Sequence, residues 1–485
     1  MSGFKRLIKN SVSNIINGFS NVILGIVISP ALLHNLSKID FSIWSLTLQV
    51  GIFIGIIGIG IQVTVGRFVA FHSSDIEKRQ RTVQQSLFFV TLLGLVCMAL
   101  ILVMAKYFFS FFPEVSETDA NTKLVFVLIC GSFVLNNISA PFVGYFTGIE
   151  RNDLTASVNV IFKVLLGFAI YFVIDYGLDV IAWVYFAINA FNQISLFVLY
   201  KLKSRHKKIK TTFDKSIFKT VVVFFSGLLI WNIAQFLISG IGTFTVGKFA
   251  FSELAGFAVL MTLVNTGVGI LGALINPIIQ PMLRMYNAGN DHHIELLVNK
   301  LVLLFALFTF VSVFIAWFMS IHILGVWLGY EQAEKLHIMF TVLLTSYLIR
   351  MIAAPYGLML VAYGKQLSIA YLPIVEGILN FALSVYFVRH YGAVGIAYST
   401  FISGVLIMCV YACKFRAEAV SKSNQIFIAF IGIPVLIATG LGALLISDNG
   451  TTQIIIYVIE SVCAVLAIIY SLKLLRNIKS LLNNY

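Results

Sequence analysis

The chain has 485 residues, 59% of them hydrophobic and only 11% charged, with a formal net charge of +13 and a mean hydropathy of +0.97. This composition excludes a water-soluble protein and leaves too few polar residues for a separate globular domain. The basic excess alone would suit nucleic acid, but its placement along the chain excludes that partner.

A bilayer core of about 30 Å needs roughly 20 apolar residues per helix. On that scale the hydropathy pattern predicts fourteen membrane helices, at 12–33, 41–66, 84–105, 121–147, 155–174, 180–200, 217–240, 253–280, 297–323, 336–362, 368–388, 393–413, 425–446 and 453–472. Inside lipid the backbone must satisfy its own hydrogen bonds, so helices are expected. The alternating ten-residue segments of a membrane β-barrel are absent. The apolar stretch after Lys5, Arg6 and Lys9 is interrupted by Asn14, Asn17 and Asn21 and reads as a retained helix, not a cleaved signal. Lys and Arg number 25 in the N-terminus, the even loops with their adjoining helix ends and the C-terminus, against 6 in the odd loops with theirs, and the largest cluster is at 201–210. Such asymmetry anchors basic loops in the cytoplasm and predicts that both termini lie there. All five cysteines fall in apolar spans, with no disulfide framework and no zinc spacing.

The chain repeats itself. Ala140-Pro141-Phe142 recurs as Ala354-Pro355-Tyr356, a shift of 214. The segment Tyr171–Trp183 recurs as Tyr386–Tyr398 at a shift of 215, with seven of thirteen positions identical. Gly55 and Gly58 meet Gly269 and Gly272 at a shift of 214, and Asn21 meets Gln235. Six helices per copy is an even number, so the copies run parallel, the organisation of a transporter whose halves rock about a central site. The expected architecture is all-α integral membrane: a six-helix lobe at 1–210, a second at 211–420 and an appended helix pair at 421–485. Pro141 and Pro355 interrupt the backbone ladder of predicted helices and are candidate hinges.

Ionisable groups within spans are costly unless they face water or a partner. Lys163 and Arg350 are therefore candidate contacts for an anionic substrate, and Glu376 is a candidate coupling group. Arg350 stands where the first repeat has Asn136. Asn14, Asn17 and Asn21 share one helical face and, with Gln235, would suit sugar hydroxyls. Arg67 and Arg284 at the ends of their helices could receive a phosphate at the cytoplasmic entrance. No hydrolase triad, metal-ligand spacing or nucleotide loop occurs, so neither catalysis nor a metal nor a bound cofactor is expected. Energy would come from an ion gradient, the substrate gradient or downstream consumption.

With its two six-helix repeats, its helix starts Lys38-Ile-Asp-Phe-Ser-Ile-Trp44 and Phe251-Ser-Glu-Leu-Ala-Gly-Phe257, and its tyrosine-glycine joints Tyr176-Gly177 and Tyr391-Gly392, the chain resembles the multidrug/oligosaccharidyl-lipid/polysaccharide (MOP) exporter superfamily. Within it the chain looks most like the Wzx-type O-antigen and polysaccharide flippases. The resemblance implies alternating access and movement of an undecaprenyl-diphosphate-linked oligosaccharide from the cytoplasmic to the periplasmic leaflet of a bacterial inner membrane; a proton or sodium gradient is one candidate coupling source. It implies a polysaccharide polymerase and chain-length regulator as downstream partners, besides membrane lipid. The extra helix pair points to the lipid II flippase branch as an alternative, and a MATE-type cation antiporter is the alternative of another class.

Overall fold

The computed structural model describes residues 25–72, 75–112, 115, 120–204, 213–275, 278–363, 365, 371–417, 429, 432, 434, 437 and 450–483. Every regular element among them is helical. A helix through 25–35, α1, leads into α2 (Lys38–Phe71), α3 (Ile76–Tyr107), α4 (Ala120–Gly148), α5 (Asn152–Val173) and α6 (Leu178–Lys203). Then come α7 (Lys215–Ser239), α8 (Ile241–Phe249), α9 (Leu254–Ile275), α10 (Ile279–Asn287) and α11 (Asp291–Leu328). The chain continues through α12 (Tyr330–Met351), α13 (Ala354–Ala362), α14 (Tyr371–Tyr391), α15 (Val394–Ala417) and α16 (Gly450–Asn483). Twelve spans among the described residues are long and apolar enough to cross a membrane. They correspond to the expected helices 2–12 and 14, so the protein is a multi-pass membrane protein. Most of the expected helix 13, and Asn14, Asn17 and Asn21 of helix 1, lie outside the described residues.

The helix starts carry their own chemistry. Ser37 caps α2 by accepting from the Asp40 amide at 3.0 Å. Asp75 does the same for α3 with Lys78 at 3.0 Å, and Asp214 caps α7 with Ser216 and Ile217 at 3.0 and 3.2 Å. Each cap satisfies donors that a helix start leaves open. The Lys78 backbone N–H holds the Asp75 carboxyl below its ordinary range.

Two compact units emerge, residues 1–270 and 271–485. In the first, α2 and α4 pack closely, and Asn137 explains how. Its amide accepts from the Gly58 backbone N–H at 2.9 Å and donates to the Ile54 carbonyl at 2.8 Å. Those two backbone groups are the pair an undisturbed helix would join, so a side chain from α4 is spliced into the ladder of α2. A Cβ at Gly58 would lie 2.5 Å from the Asn137 carbonyl oxygen, so a larger residue there would push the Asn137 side chain out of this contact. Around this contact Ile61, Val65, Val83, Val90, Phe146 and Phe225 form a buried cluster. In the second unit Leu297, Val298, Leu301, Leu348, Tyr356 and Met408 do so. In lipid such clusters are held by close packing more than by expulsion of water.

The repeat is visible in the backbone of both units. Gly177 and Gly392, which end the two tyrosine-glycine joints, both take positive φ, +97° and +64°. That left-handed conformation is open to glycine at little cost. The two prolines differ. Pro141 sits inside a continuous α4. The helix expected at 336–362 instead breaks after Met351 and resumes as α13 at Ala354, which puts Pro355 in a first turn. There its missing N–H costs nothing and its ring meets no preceding carbonyl. At the break Ile352 N–H turns to the Ile349 carbonyl at 3.1 Å, and the Thr309 hydroxyl takes up the Leu348 carbonyl at 3.1 Å.

Candidate functional site

The strongest candidate lies within the first unit, among α2, α4, α5 and α6. It is a cavity of about 510 Å³ lined by Gln62, Ser132, Asn136, Thr147, Asn152, Thr155, Asn159, Lys163, Tyr185, Asn189, Asn192 and Gln193, with few apolar residues. Helical spacing assembles it: Asn152, Thr155, Asn159 and Lys163 fall three and four residues apart on one face of α5, and Tyr185, Asn189, Asn192 and Gln193 on one face of α6. Lys163 is its one cation, and no carboxylate is among the described lining residues.

Its amides are ordered by one another. Asn192 Nδ2 donates to Asn159 Oδ1 at 3.2 Å, and Gln193 Nε2 donates to Asn136 Oδ1 at 3.4 Å. The Ser139 hydroxyl, buried behind the lining, donates to Gln193 Oε1. The Tyr185 ring is braced edge-on by Trp44, with centroids 5.5 Å apart. On two of the lining residues the side-chain oxygens, Asn152 Oδ1 and Asn192 Oδ1, are buried without a hydrogen-bond partner.

The matching helices of the second unit are built differently. Arg350 of α12 pairs with Glu376 of α14. The guanidinium also donates to the Ser346 carbonyl at 3.1 Å, the Thr400 carbonyl at 2.9 Å and the Ser403 hydroxyl at 3.3 Å. All three of its nitrogens are thereby engaged. The Arg350 side chain is 15% exposed and that of Glu376 5%. Asn380 Oδ1 accepts from Thr400 at 3.3 Å, and Ser384 and Ser399 share a bond of 2.7 Å. This is a closed polar core in which the two candidate residues Arg350 and Glu376 are each other's partners. The reason is spatial. One turn of α12 and one of α14 meet across α15, so the two charges neutralise each other instead of facing a cavity.

Two further cavities are described. A groove of about 560 Å³ between α11 and α16 is almost wholly apolar, lined by Leu307, Phe310, Cys463, Leu466 and Ile469, with Lys473 at one end. A groove of about 400 Å³ between α2 and α7 brings together Arg67, Lys219 and Thr220, and the Arg67 guanidinium lies 4.5 Å over the Phe224 ring. No group of three or more His, Cys, Asp or Glu among the described residues could hold a metal ion.

Neither a protein-family model nor a curated protein sequence matches the chain. Solved structures do. The lipid II flippase MurJ in an inward closed conformation has a TM-score of 0.71 at 12% identity, covering 98% of this chain and 99% of that one. An inward-facing multidrug resistance MATE transporter of the MOP superfamily gives 0.65 at 13%, covering 86% and 100%. The eukaryotic MATE transporter AtDTX14 gives 0.59 at 13%, covering 90% and 98%.

The fold is that of the MurJ and MATE transporters.

Within this MurJ/MATE-like fold the sequence-predicted residues scatter. Lys163 lines the polar cavity. Gln235 is exposed on α7 and does not line it. Arg67 borders the α2–α7 groove. The side chain of Arg284 lies outside the described residues. Asn152, Asn159, Asn192 and Gln193 escaped sequence reasoning, although their three- and four-residue spacing on α5 and α6 was the signal that could have found them.

Proposed function

We propose that the chain is a transporter that carries an undecaprenyl-diphosphate-linked oligosaccharide, an O-antigen or other surface-polysaccharide unit, from the cytoplasmic to the periplasmic leaflet of a bacterial inner membrane. The observation that carries this reading is the chemistry of the α4–α5–α6 cavity: one lysine, many amides and hydroxyls, and no carboxylate among its described lining residues. A lysine meets phosphate as a point charge, and the amides suit hydroxyl-rich sugars. The apolar α11–α16 groove has the character a polyprenyl tail needs.

On this reading Lys163 is the principal anion contact, the two six-helix repeats alternate access, and both termini face the cytoplasm. Arg67 receives the head group at the entrance. A coupling proton or sodium ion at Glu376 would first have to displace Arg350, which makes that pair a lock, not a docking point. A second reading, a flippase of lipid II-type peptidoglycan precursors, is favoured by the MurJ likeness over nearly the whole chain. Export of organic cations is disfavoured, because such a cargo calls for acidic residues in the cavity.

The test is leaflet exchange. Protein reconstituted in vesicles should translocate a fluorescent undecaprenyl-diphosphate-linked oligosaccharide, and Lys163→Ala should slow this at least ten-fold. Exchange of organic cations with no exchange of any polyprenyl-diphosphate glycan would overturn the proposal.

A further inference from the structure

The α2–α7 groove joins two cations to an apolar wall. Arg67 and Lys219 are each the fifth residue from the end of their helix and reach the groove from the same edge of the first unit. Other cations at that edge are paired, Lys78 with Asp75 and Arg81 with Glu77 and Asp214. Arg67 and Lys219 make no ion pair among the described residues. The Arg67 guanidinium lies 4.5 Å over the Phe224 ring. That attachment leaves its N–H donors unspent, and those donors suit two oxygens of a phosphate.

The rest of the groove is formed by Phe68, Val223, Phe224 and the Thr220 hydroxyl. Val223 is 64% exposed and lies one turn further along α7 than Lys219, on the same face. The Thr220 hydroxyl gives its proton to the Ser216 carbonyl at 2.9 Å, so its oxygen is left to accept. From the start of α7 inward the order is therefore cation, hydroxyl acceptor, exposed apolar side chain. A phospholipid runs in that same order, from phosphate and head-group hydroxyl to acyl chain. A free phosphate would leave the apolar wall uncovered, and a head group ending in an ammonium would meet two cations.

We infer that the α2–α7 groove binds an anionic phospholipid of the surrounding leaflet, of the phosphatidylglycerol type. Its phosphate sits between Arg67 and Lys219, a head-group hydroxyl donates to Thr220, and an acyl chain covers Val223 and Phe224. The groove's volume of about 400 Å³ holds the head group while the chains continue into the bilayer. The site shares Arg67 with the entrance of the transport reading, but its ligand belongs to the membrane and not to the cargo. A cargo head group that reaches Arg67 exchanges places with this lipid, so the anionic-lipid content of the leaflet sets how often the entrance is free.

The test is lipid binding by the full chain in detergent, read by native mass spectrometry, with dioleoylphosphatidylglycerol, dioleoylphosphatidylethanolamine and inorganic phosphate as separate probes. The first phosphatidylglycerol should bind saturably and about ten-fold more tightly than phosphatidylethanolamine. Arg67→Gln and Lys219→Gln should each weaken it about five-fold, the attraction of one basic side chain for anionic lipid. Lys201→Gln with Lys203→Gln, which removes two charges from the last turn of α6, should leave it unchanged. Lys219 is exposed, so its variant carries the test if Arg67→Gln fails to fold. Equal affinity for the two lipids, groove variants that bind like wild type, or the same loss in the α6 variant overturns the site. Displacement of phosphatidylglycerol by an equal concentration of inorganic phosphate overturns the lipid assignment and leaves a free-anion site. None of these measurements follows leaflet exchange of a polyprenyl-linked glycan, so the transport reading stands or fails apart from this site.

Discussion

Helices α4, α5 and α6 and helices α12, α14 and α15 occupy matching places in the sequence repeat, yet one set arranges its polar groups around a space and the other around each other. In the first, amides and Lys163 line about 510 Å³. In the second, Arg350, Glu376, Asn380, Thr400 and Ser403 consume one another's hydrogen-bonding capacity. Position 350 makes the point in one residue: the first copy has Asn136, which borders the cavity, and the second has an arginine whose nitrogens are all occupied. A duplicated scaffold can therefore keep its joints and divide its labour, one copy keeping a polar cavity while the other becomes a rigid core.

The largest test of that contrast is Arg350→Ala. It would strand the buried Glu376 carboxylate, and removing one partner of such a pair costs about 3–5 kcal/mol. The protein should fall sharply in thermal stability in detergent, and Arg350→Met with Glu376→Met should recover much of the loss. A variant as stable as wild type that failed only in transport would return Arg350 to the substrate and break the comparison. Next in size is the α2–α4 contact made by Asn137. Met351 stands opposite Asn137 in the repeat, and a Cβ at Gly272, the counterpart of Gly58, meets nothing within 4 Å among the described residues. Asn137→Leu should therefore cost about 1–3 kcal/mol by removing two hydrogen bonds between α2 and α4, each worth about 0.5–1.5 kcal/mol net, even where the Gly58 amide and Ile54 carbonyl then pair with each other. Gly58→Ala should destabilise and Gly272→Ala should be tolerated, read by melting of the purified variants.

Lys163→Ala sharpens the other side. Transport should drop at least ten-fold, and melting of the purified variant separates that loss from any change in stability. The smallest effect concerns the start of α3. Because the folded Asp75 carboxyl sits below its unfolded value of 3.8, its contribution is present above that pH and is lost as pH falls through the folded value. The stability gap between wild type and Asp75→Ala should be constant at neutral pH and shrink as the solution is acidified below about 4. A gap that grew on acidification would contradict the cap.

The helices were legible because the bilayer imposes a length and a hydropathy that any chain must write locally. The tyrosine-glycine joints were legible because glycine at a left-handed turn leaves a mark that duplication preserves. Lys163 and Arg350 stood out one by one as charges in apolar spans. What they do was not legible. Glu376 is 26 positions from Arg350, and that the two are neighbours is decided by how α12 and α14 meet. Asparagines 152, 159 and 192 drew no notice because an amide in a membrane helix is unremarkable until three helices turn such faces toward one another. The break before Pro355 escaped too, since a proline in an apolar run reads alike as a kink and as a new helix start.

The splice of Asn137 into α2 has a consequence for how the protein is made. Translation delivers α2 to the bilayer well before α4 exists, and at that stage the Ile54 carbonyl and the Gly58 amide can be satisfied only by each other. The contact found in the finished structure must therefore be installed afterwards, when the arriving amide of Asn137 takes both groups. The first copy thus gains two interhelical bonds within a helix that inserts earlier, and Met351 at the matching place in the second copy has no amide with which to do the same.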